Sequence, residues 1–144
     1  MILYGDTSAL LKLYIDEPDS AFVEEAMGEA SAVATHVIAY PELRAALARA
    51  ARMGRVGPEH LRELVATVDQ DWQRLHTIQP DPTLIHRAGH LAGTLSLRGY
   101  DSVHLAAAEA VSAQIAPAPF RFAVFDQGLR AAARELELAI LGEH

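Results

Sequence analysis

A short apolar run followed by a polar turn opens this chain, in the sequence Ile2-Leu3-Tyr4-Gly5-Asp6-Thr7-Ser8. Three β-favouring residues before a glycine predict a strand buried on both faces, since the run is too short for a helix. Helical spacing begins at Ala9, so residues 6–8 lie where a strand passes into a helix. Ligands of open α/β sheets bind at that edge. Asp6 is therefore a site residue if other carboxylates reach the edge, and a helix cap if none do.

The composition predicts one compact domain over residues 1–144, because 51% of the residues are apolar and a chain of this length can bury about two-thirds of its unfolded surface. The absence of cysteine excludes disulfides and thiolate metal sites. No apolar run approaches the length of a membrane span, and the first residues lack the pattern of a secretory signal. We expect a cytoplasmic protein with no membrane partner.

The net charge of −7 limits the possible partners. Proteins that bind nucleic acid through its phosphates usually carry a basic patch, whereas this chain has a single lysine, Lys12. Two interpretations stay open. Either nucleic acid is not the partner, or the acids are gathered where a cation neutralises them.

Short β-favouring segments alternate with helical patterns along the whole chain, which predicts an α/β fold with a parallel sheet covered on both faces. We expect about five strands, at residues 2–4, 32–35, 77–79, 120–125 and 138–141. The expected helices cover approximately residues 9–14, 21–27, 43–53, 58–75, 82–98, 101–115 and 129–136. Pro41 either kinks the third helix or marks its first turn.

Four acids occupy comparable places near the starts of helices. Asp6 and Asp126 each follow a strand directly, Asp101 opens a helix, and Glu42 lies near the start of the helix after the second strand. Each has an ordinary explanation, because aspartate is a favoured N-cap and acids suit the first helical turn. Glu42 alone is typical of a solvated helix residue.

Together, the same acids predict a metal site. Parallel strands deliver their carboxyl ends to one edge, and carboxylates gathered there repel each other unless a cation is present. Mg²⁺ takes oxygen ligands and is typically held by a few carboxylates. We therefore expect a candidate Mg²⁺ or Mn²⁺ site, to which Ser8 or Thr7 adds a hydroxyl, directly or through water.

The histidines give weaker signals. His104 stands one helical turn after Asp101, within reach of the predicted site, although a packed and hydrogen-bonded histidine is the more ordinary explanation. His86 and His90 have i, i+4 spacing but no neighbouring glutamate that could act as a base, so a helical zinc pair is not predicted.

Four segments together resemble the PIN-domain proteins, especially the VapC-type toxins of bacterial and archaeal toxin–antitoxin pairs. Asp6-Thr7-Ser8-Ala9-Leu10-Leu11-Lys12-Leu13-Tyr14, with Glu17-Pro18 after it, resembles the family's opening motif. Tyr40-Pro41-Glu42-Leu43-Arg44-Ala45-Ala46-Leu47 fits its second acidic motif. Tyr100-Asp101-Ser102-Val103-His104-Leu105-Ala106-Ala107-Ala108 resembles the third, and Phe125-Asp126-Gln127-Gly128-Leu129-Arg130-Ala131-Ala132-Ala133 the fourth. The spacings agree from end to end of the chain.

This resemblance implies a three-layer, PIN-like α/β fold and a metal-dependent endoribonuclease. By position, Asp6, Glu42, Asp101 and Asp126 would hold one or two Mg²⁺ or Mn²⁺ ions, and Ser8 matches a small polar residue that positions a ligand water. The expected products of RNA hydrolysis carry 5′-phosphate and 3′-hydroxyl ends. Toxins of this type form homodimers and are inhibited by a cognate antitoxin protein.

Two other classes of function stay open at this stage. The first is a PIN-like module that binds an antitoxin or RNA and has weak or no nuclease activity. The second is a phosphotransfer or receiver-like domain, which the lack of an Asp-x-Asp turn and of any lysine beyond Lys12 disfavours. The RNA that would be cleaved cannot be read from the sequence, because such specificity depends on RNA shape and exposed loops.

Overall fold

The computed structural model describes residues 1–143 and contains one parallel sheet of four strands in the order β3-β2-β1-β4. The strands are β1 Ile2–Gly5, β2 Ala32–His36, β3 His76–Ile78 and β4 Phe120–Ala123. Because all four run the same way, their carboxyl ends meet at a single edge.

Seven helices connect and cover the strands within these residues. They are α1 Thr7–Leu11, α2 Ser20–Glu29, α3 Ala39–Arg52, α4 Pro58–Trp72, α5 Pro82–Leu95, α6 Gly99–Ile115 and α7 Gln127–Glu135. None of the helices in residues 1–143 has the length and apolar character needed to cross a lipid bilayer.

Alternation of side chains along the strands divides the core between the two faces of the sheet. Tyr4, Ala34 and Phe122 face α5, α6 and α7 and are buried with them. Leu3 and Ala123 face the opposite side and pack against Ala9 and Ala26. Helices α1, α3 and α4 form a further apolar cluster. This is the expected layered α/β architecture, with helices on both faces of the sheet.

The expectation of about five strands is corrected to four. The predicted strand at 138–141 makes a single bridge, between Ile140 and Phe122. Left-handed backbone at Glu137 (φ 57°) and Gly142 (φ 86°) turns the chain at both ends of this segment and keeps it short. The fourth strand also ends at Ala123 rather than 125, because its partner β1 ends at Gly5, the last residue in register with it.

The structure also resolves the alternatives for Pro41. Helix α3 begins at Ala39, so Pro41 lies in the first turn, where a backbone N–H has no intrahelical partner to lose. Helix α6 begins at Gly99, two residues before the predicted start, and therefore places Asp101 within its first turn.

Truncating Leu47 to alanine is expected to lower the free energy of unfolding by about 2–5 kcal/mol, because the side chain is fully buried and its removal leaves a cavity between α3 and its neighbours. Urea unfolding followed by circular dichroism measures this change. The matched control is Met53→Ala, whose side chain is 64% exposed and should change stability by less than about 0.5 kcal/mol. Equal effects of both substitutions would contradict the burial assigned to Leu47.

Candidate active site

Asp6 caps a helix and also lies at the carboxyl edge of the sheet. It follows β1 directly, and its Oδ1 accepts hydrogen bonds from the backbone N–H of Ala9 at 2.9 Å and from Ser8 Oγ at 2.8 Å. The residue is 4% exposed, which is unusual for an aspartate. The two alternatives of the sequence, a cap or a site residue, therefore do not exclude one another.

Asp126 also caps a helix near this edge, but it does not follow a strand directly as expected, because β4 ends at Ala123 and Val124 and Phe125 lie between; unlike Asp6, it is exposed. Its Oδ2 accepts from the N–H of Leu129 at 2.9 Å and caps α7. Asp101 is not a cap. It lies in the first turn of α6, and its Oδ2 is 3.7 Å from the guanidinium of Arg98, a side chain that is 87% exposed.

Glu42 points toward the same edge from the first turn of α3. Its Oε1 accepts from Thr7 Oγ1 at 2.5 Å and lies 2.9 Å from His104 Nε2. Tyr4 Oη lies 2.8 Å from the other ring nitrogen, His104 Nδ1. The structure thus brings residues from β1, α1, α3 and α6 together beside the acids.

The pKa values of the acids shift in opposite directions. Burial raises the pKa of Asp6 above its ordinary value of 3.8, and the charge of Asp101 adds to that effect. Burial also raises the pKa of Asp101, followed by the charges of Asp126 and Glu42. Burial acts against the Glu42 charge too, but the hydrogen bonds from His104 and Thr7 outweigh it and hold the pKa of Glu42 below its ordinary value. Asp101 is therefore close enough to Asp6, Glu42 and Asp126 for their charges to interact with its own.

A surface cavity of about 480 Å³ opens at this edge and is lined by Glu42, Arg98, Gly99, Tyr100 and Asp101. Tyr100 is 63% exposed, so an aromatic ring and a guanidinium stand beside two of the acids. A ligand entering the cavity meets negative charge at its wall and one cation on its rim.

The donor set fits a hard divalent cation in its chemistry. All four acids supply carboxylate oxygens, and burial together with the charge of a neighbouring acid raises the pKa values of Asp6 and Asp101. Among residues 1–143, as placed, no three acidic or histidine side chains converge into a ready coordination shell.

Several residues of this region carried little or no sequence signal. Tyr4 was expected only as a strand residue, and Thr7 only as an alternative hydroxyl to Ser8. His36, at the end of β2, is fully buried; its Nδ1 accepts from the N–H of Ile38 at 3.1 Å, and its Nε2 has no hydrogen-bond partner among the described residues. Only the spacing of His104 after Asp101 pointed to a contact with the site.

In metal-free protein, the stability of Asp6→Asn relative to wild type is expected to increase as pH rises. Because folding raises the pKa of Asp6, the folded state binds more protons than the unfolded state above about pH 3.8, and wild-type stability falls as pH rises through the folded pKa. Asparagine is a comparable N-cap and cannot ionise. Urea unfolding in EDTA over a range of pH measures the difference.

In the same experiment, the stability of Glu42→Gln relative to wild type is expected to decrease as pH rises. Folding lowers the pKa of Glu42 below its ordinary value of 4.5. Ionised Glu42 therefore stabilises the folded state at pH values above about 4.5, and this stabilisation is lost as pH falls through the folded pKa. A difference between Asp6→Asn and wild type that does not depend on pH would contradict the assigned shift.

The chain belongs to the PIN-domain family, whose profile matches residues 3–135. Within that family it is similar to two curated proteins of Mycobacterium tuberculosis, Ribonuclease VapC45 (strain CDC 1551 / Oshkosh) and Ribonuclease VapC49 (strain ATCC 25618 / H37Rv). The identity is 36% over 110 residues, covering 76% of this chain and 76% of each relative. The resemblance to VapC-type toxin ribonucleases stated from the sequence is confirmed.

Solved structures share the fold. VapC20 of Mycobacterium tuberculosis, described as a toxin that cleaves the sarcin–ricin loop, aligns with a TM-score of 0.67 and 15% identity over 90% of this chain and 94% of that one. VapBC2 of Rickettsia felis, bound to a DNA fragment from its promoter, aligns with a TM-score of 0.63 and 15% identity over 97% of both chains. At such identities, the likeness concerns the fold alone.

Proposed function

We propose that this protein is an endoribonuclease of the VapC type, the toxin of a type II toxin–antitoxin pair, and that its activity depends on Mg²⁺ or Mn²⁺. One observation carries the proposal. Four acids that are distant in sequence lie near one edge of the sheet, where the charge of Asp101 interacts with those of the other three, in a chain whose curated relatives are ribonucleases.

Asp6, Glu42, Asp101 and Asp126 are the residues that would hold the cation. When bound, a divalent cation supplies positive charge against the scissile phosphate and lowers the pKa of a bound water. Ser8 keeps the Asp6 carboxylate in one orientation through its 2.8 Å hydrogen bond. Glu42, whose charge is stabilised by Thr7 and His104, is suited to accept a hydrogen bond from a water at neutral pH. The proposed products carry 5′-phosphate and 3′-hydroxyl ends.

Arg98 and Tyr100 are the proposed contacts for RNA beside the cavity. The guanidinium of Arg98 is exposed and makes only a 3.7 Å contact with Asp101, so it is available for a phosphate. The exposed ring of Tyr100 offers a surface on which an unstacked base can lie. This pairing lets a chain of net charge −7 bind RNA locally, without a basic surface.

A cognate antitoxin is the proposed protein partner, since the VapBC2 structure that shares this fold contains a toxin with its antitoxin. We also propose that the protein forms a homodimer and is located in the cytoplasm, as expected for toxins of this type. Light scattering of the purified chain, alone and with a co-expressed antitoxin, measures the assembly.

The test of the proposal is cleavage of a total RNA pool by purified protein with Mg²⁺, Mn²⁺ or EDTA. Discrete products with 5′-phosphate ends, formed with either metal and lost with EDTA, are expected. The Asp6→Asn protein, prepared in parallel, controls for contaminating ribonuclease. Folded protein that is free of antitoxin and yields no metal-dependent cleavage would instead favour a module that binds RNA or an antitoxin.

A further inference from the structure

A chain of hydrogen bonds links the buried sheet to one acid of the candidate active site. Tyr4 Oη lies 2.8 Å from His104 Nδ1, and His104 Nε2 lies 2.9 Å from Glu42 Oε1. The three residues come from β1, α6 and α3, and are separated by as many as 100 positions in the sequence. Three elements of the fold therefore meet in one polar contact.

The chemistry of the partners determines which ring nitrogen carries the proton. An ionised carboxylate only accepts hydrogen bonds, so the contact with Glu42 requires an N–H at Nε2 of His104. In the neutral ring, Nδ1 then has a lone pair and accepts from the phenol O–H of Tyr4. Tyr4 and Glu42 thus select one tautomer of the imidazole from opposite sides.

Only one carboxylate oxygen of Glu42 accepts hydrogen bonds in this network. Thr7 Oγ1 donates to Oε1 at 2.5 Å, the same atom that His104 approaches, which explains the 3.2 Å separation of Thr7 Oγ1 and His104 Nε2 as two donors sharing an acceptor. The other oxygen, Oε2, takes no part in this network. Glu42 also lines the cavity, so a carboxylate with one oxygen outside this network stands at the cavity wall.

Burial makes the arrangement rigid. Tyr4 and His104 are 0% and 1% exposed, and their rings meet edge to face with centroids 5.9 Å apart. The Tyr4 ring makes a second edge-to-face contact with Phe122 at 5.6 Å. Away from water, hydrogen bonds that pair the Tyr4 hydroxyl and both ring nitrogens of His104 favour a single geometry over competing ones.

We propose that Tyr4 and His104 are positioning residues for the nuclease reaction: they hold Glu42 by Oε1 and keep Oε2 available to the ligand of the active site. The inference rests on the proposed function. Neither residue touches the substrate in this scheme, and both act through Glu42. Because His104 also lies one turn after Asp101 on α6, the same contact holds the helices that carry two of the acids in a constant relation.

The direct test reads the tautomer of His104 by two-bond ¹H–¹⁵N correlation NMR of protein labelled with ¹⁵N-histidine. A protonated Nε2 and an unprotonated Nδ1 are expected in wild type. In Tyr4→Phe, the Nδ1 resonance is expected to shift because its donor is lost. An Nδ1–H tautomer in wild type would overturn the proposal whether or not the protein cleaves RNA.

The kinetic test compares Tyr4→Phe and His104→Gln with wild type. Supporting residues of this kind typically change activity by about 10- to 100-fold, and here we expect that loss in kcat with KM within about twofold, since no RNA contact is removed. His104→Gln, whose amide N–H can replace Nε2–H, should retain more activity than His104→Leu. Circular dichroism and thermal unfolding exclude variants that do not fold.

Tyr14→Phe and His90→Gln are the matched controls. Tyr14 donates a 2.9 Å hydrogen bond to Asp71, outside the site, and His90 is exposed on α5. Both should cleave RNA as wild type does. Folded Tyr4→Phe and His104→Gln proteins with an unchanged kcat would overturn the inference and leave the proposed function intact. An inactive wild type with the expected tautomer would count against the function alone.

Discussion

The Asp6→Asn protein is expected to lose about 100- to 1,000-fold of its metal-dependent RNA cleavage while remaining folded. A divalent cation contributes several kcal/mol to stabilising the transition state of such reactions, and each 1.36 kcal/mol corresponds to a tenfold change in rate. Asp6 is the most buried of the four carboxylates, so its loss is expected to weaken the cation site strongly. Folding survives because asparagine can accept the cap hydrogen bond from Ala9. Initial rates on a defined RNA, with thermal unfolding in EDTA, measure both properties.

Asp19→Asn is the matched control for this substitution. Asp19 is exposed and precedes α2, and its side chain makes no cap hydrogen bond. Its backbone is left-handed, at φ 71°, a conformation that asparagine tolerates as well as aspartate does. It should cleave RNA at the wild-type rate. A comparable loss in both variants would indicate a nonspecific effect, and full activity of Asp6→Asn would remove Asp6 from the catalytic site.

Substitution of Asp126 by asparagine and by alanine is expected to separate its two roles. Both variants should lose about 100-fold or more in cleavage, because both remove a carboxylate from the site. Only Asp126→Ala should also lower the free energy of unfolding, by about 0.5–2 kcal/mol, because it removes the acceptor for the Leu129 N–H at the start of α7.

Asp81→Ala controls for the loss of a cap alone. Asp81 accepts from the N–H of Leu84 at 2.9 Å and caps α5, which is the same cap geometry in a helix away from the acids. It should lose stability to a similar extent and keep its activity. An Asp126→Asn protein with wild-type cleavage would limit Asp126 to the helix cap.

Much of the fold followed from local patterns. The run at 2–4 forms a strand, the alternation of strands and helices gives a parallel sheet, and Asp6 and Asp126 lie at its carboxyl edge as expected. The number of strands could not be predicted as well from the sequence. Residues 138–141 have a strand-like composition, but backbone turns at Glu137 and Gly142 reduce their pairing to one bridge. Such turns cannot be predicted from composition.

The roles of the polar side chains around the acids were also ambiguous in the sequence. The residues alone left Ser8 and Thr7 as alternative hydroxyl groups for the site, and the family resemblance favoured Ser8. The structure places Ser8 on Asp6 and Thr7 on Glu42. A cap and a site residue were alternatives for each aspartate, and Asp6 and Asp126 have cap geometry at the candidate site. The sequence analysis treated the helix cap and the site residue as alternatives. One carboxylate can serve as both, because one oxygen can accept the cap hydrogen bond while the other contacts a ligand.

The sequence by itself determined the layered parallel sheet and the gathering of acids near its carboxyl edge, because the helices between successive strands return the chain to the start of the sheet and every strand then runs the same way. Only the tertiary structure decided the contacts of Glu42. Its partner His104 is 62 positions away, and the contact of His104 with Tyr4 spans 100 positions. Such contacts depend on how α3 and α6 are rotated against β1, and that rotation results from the packing of the whole core rather than from any local pattern.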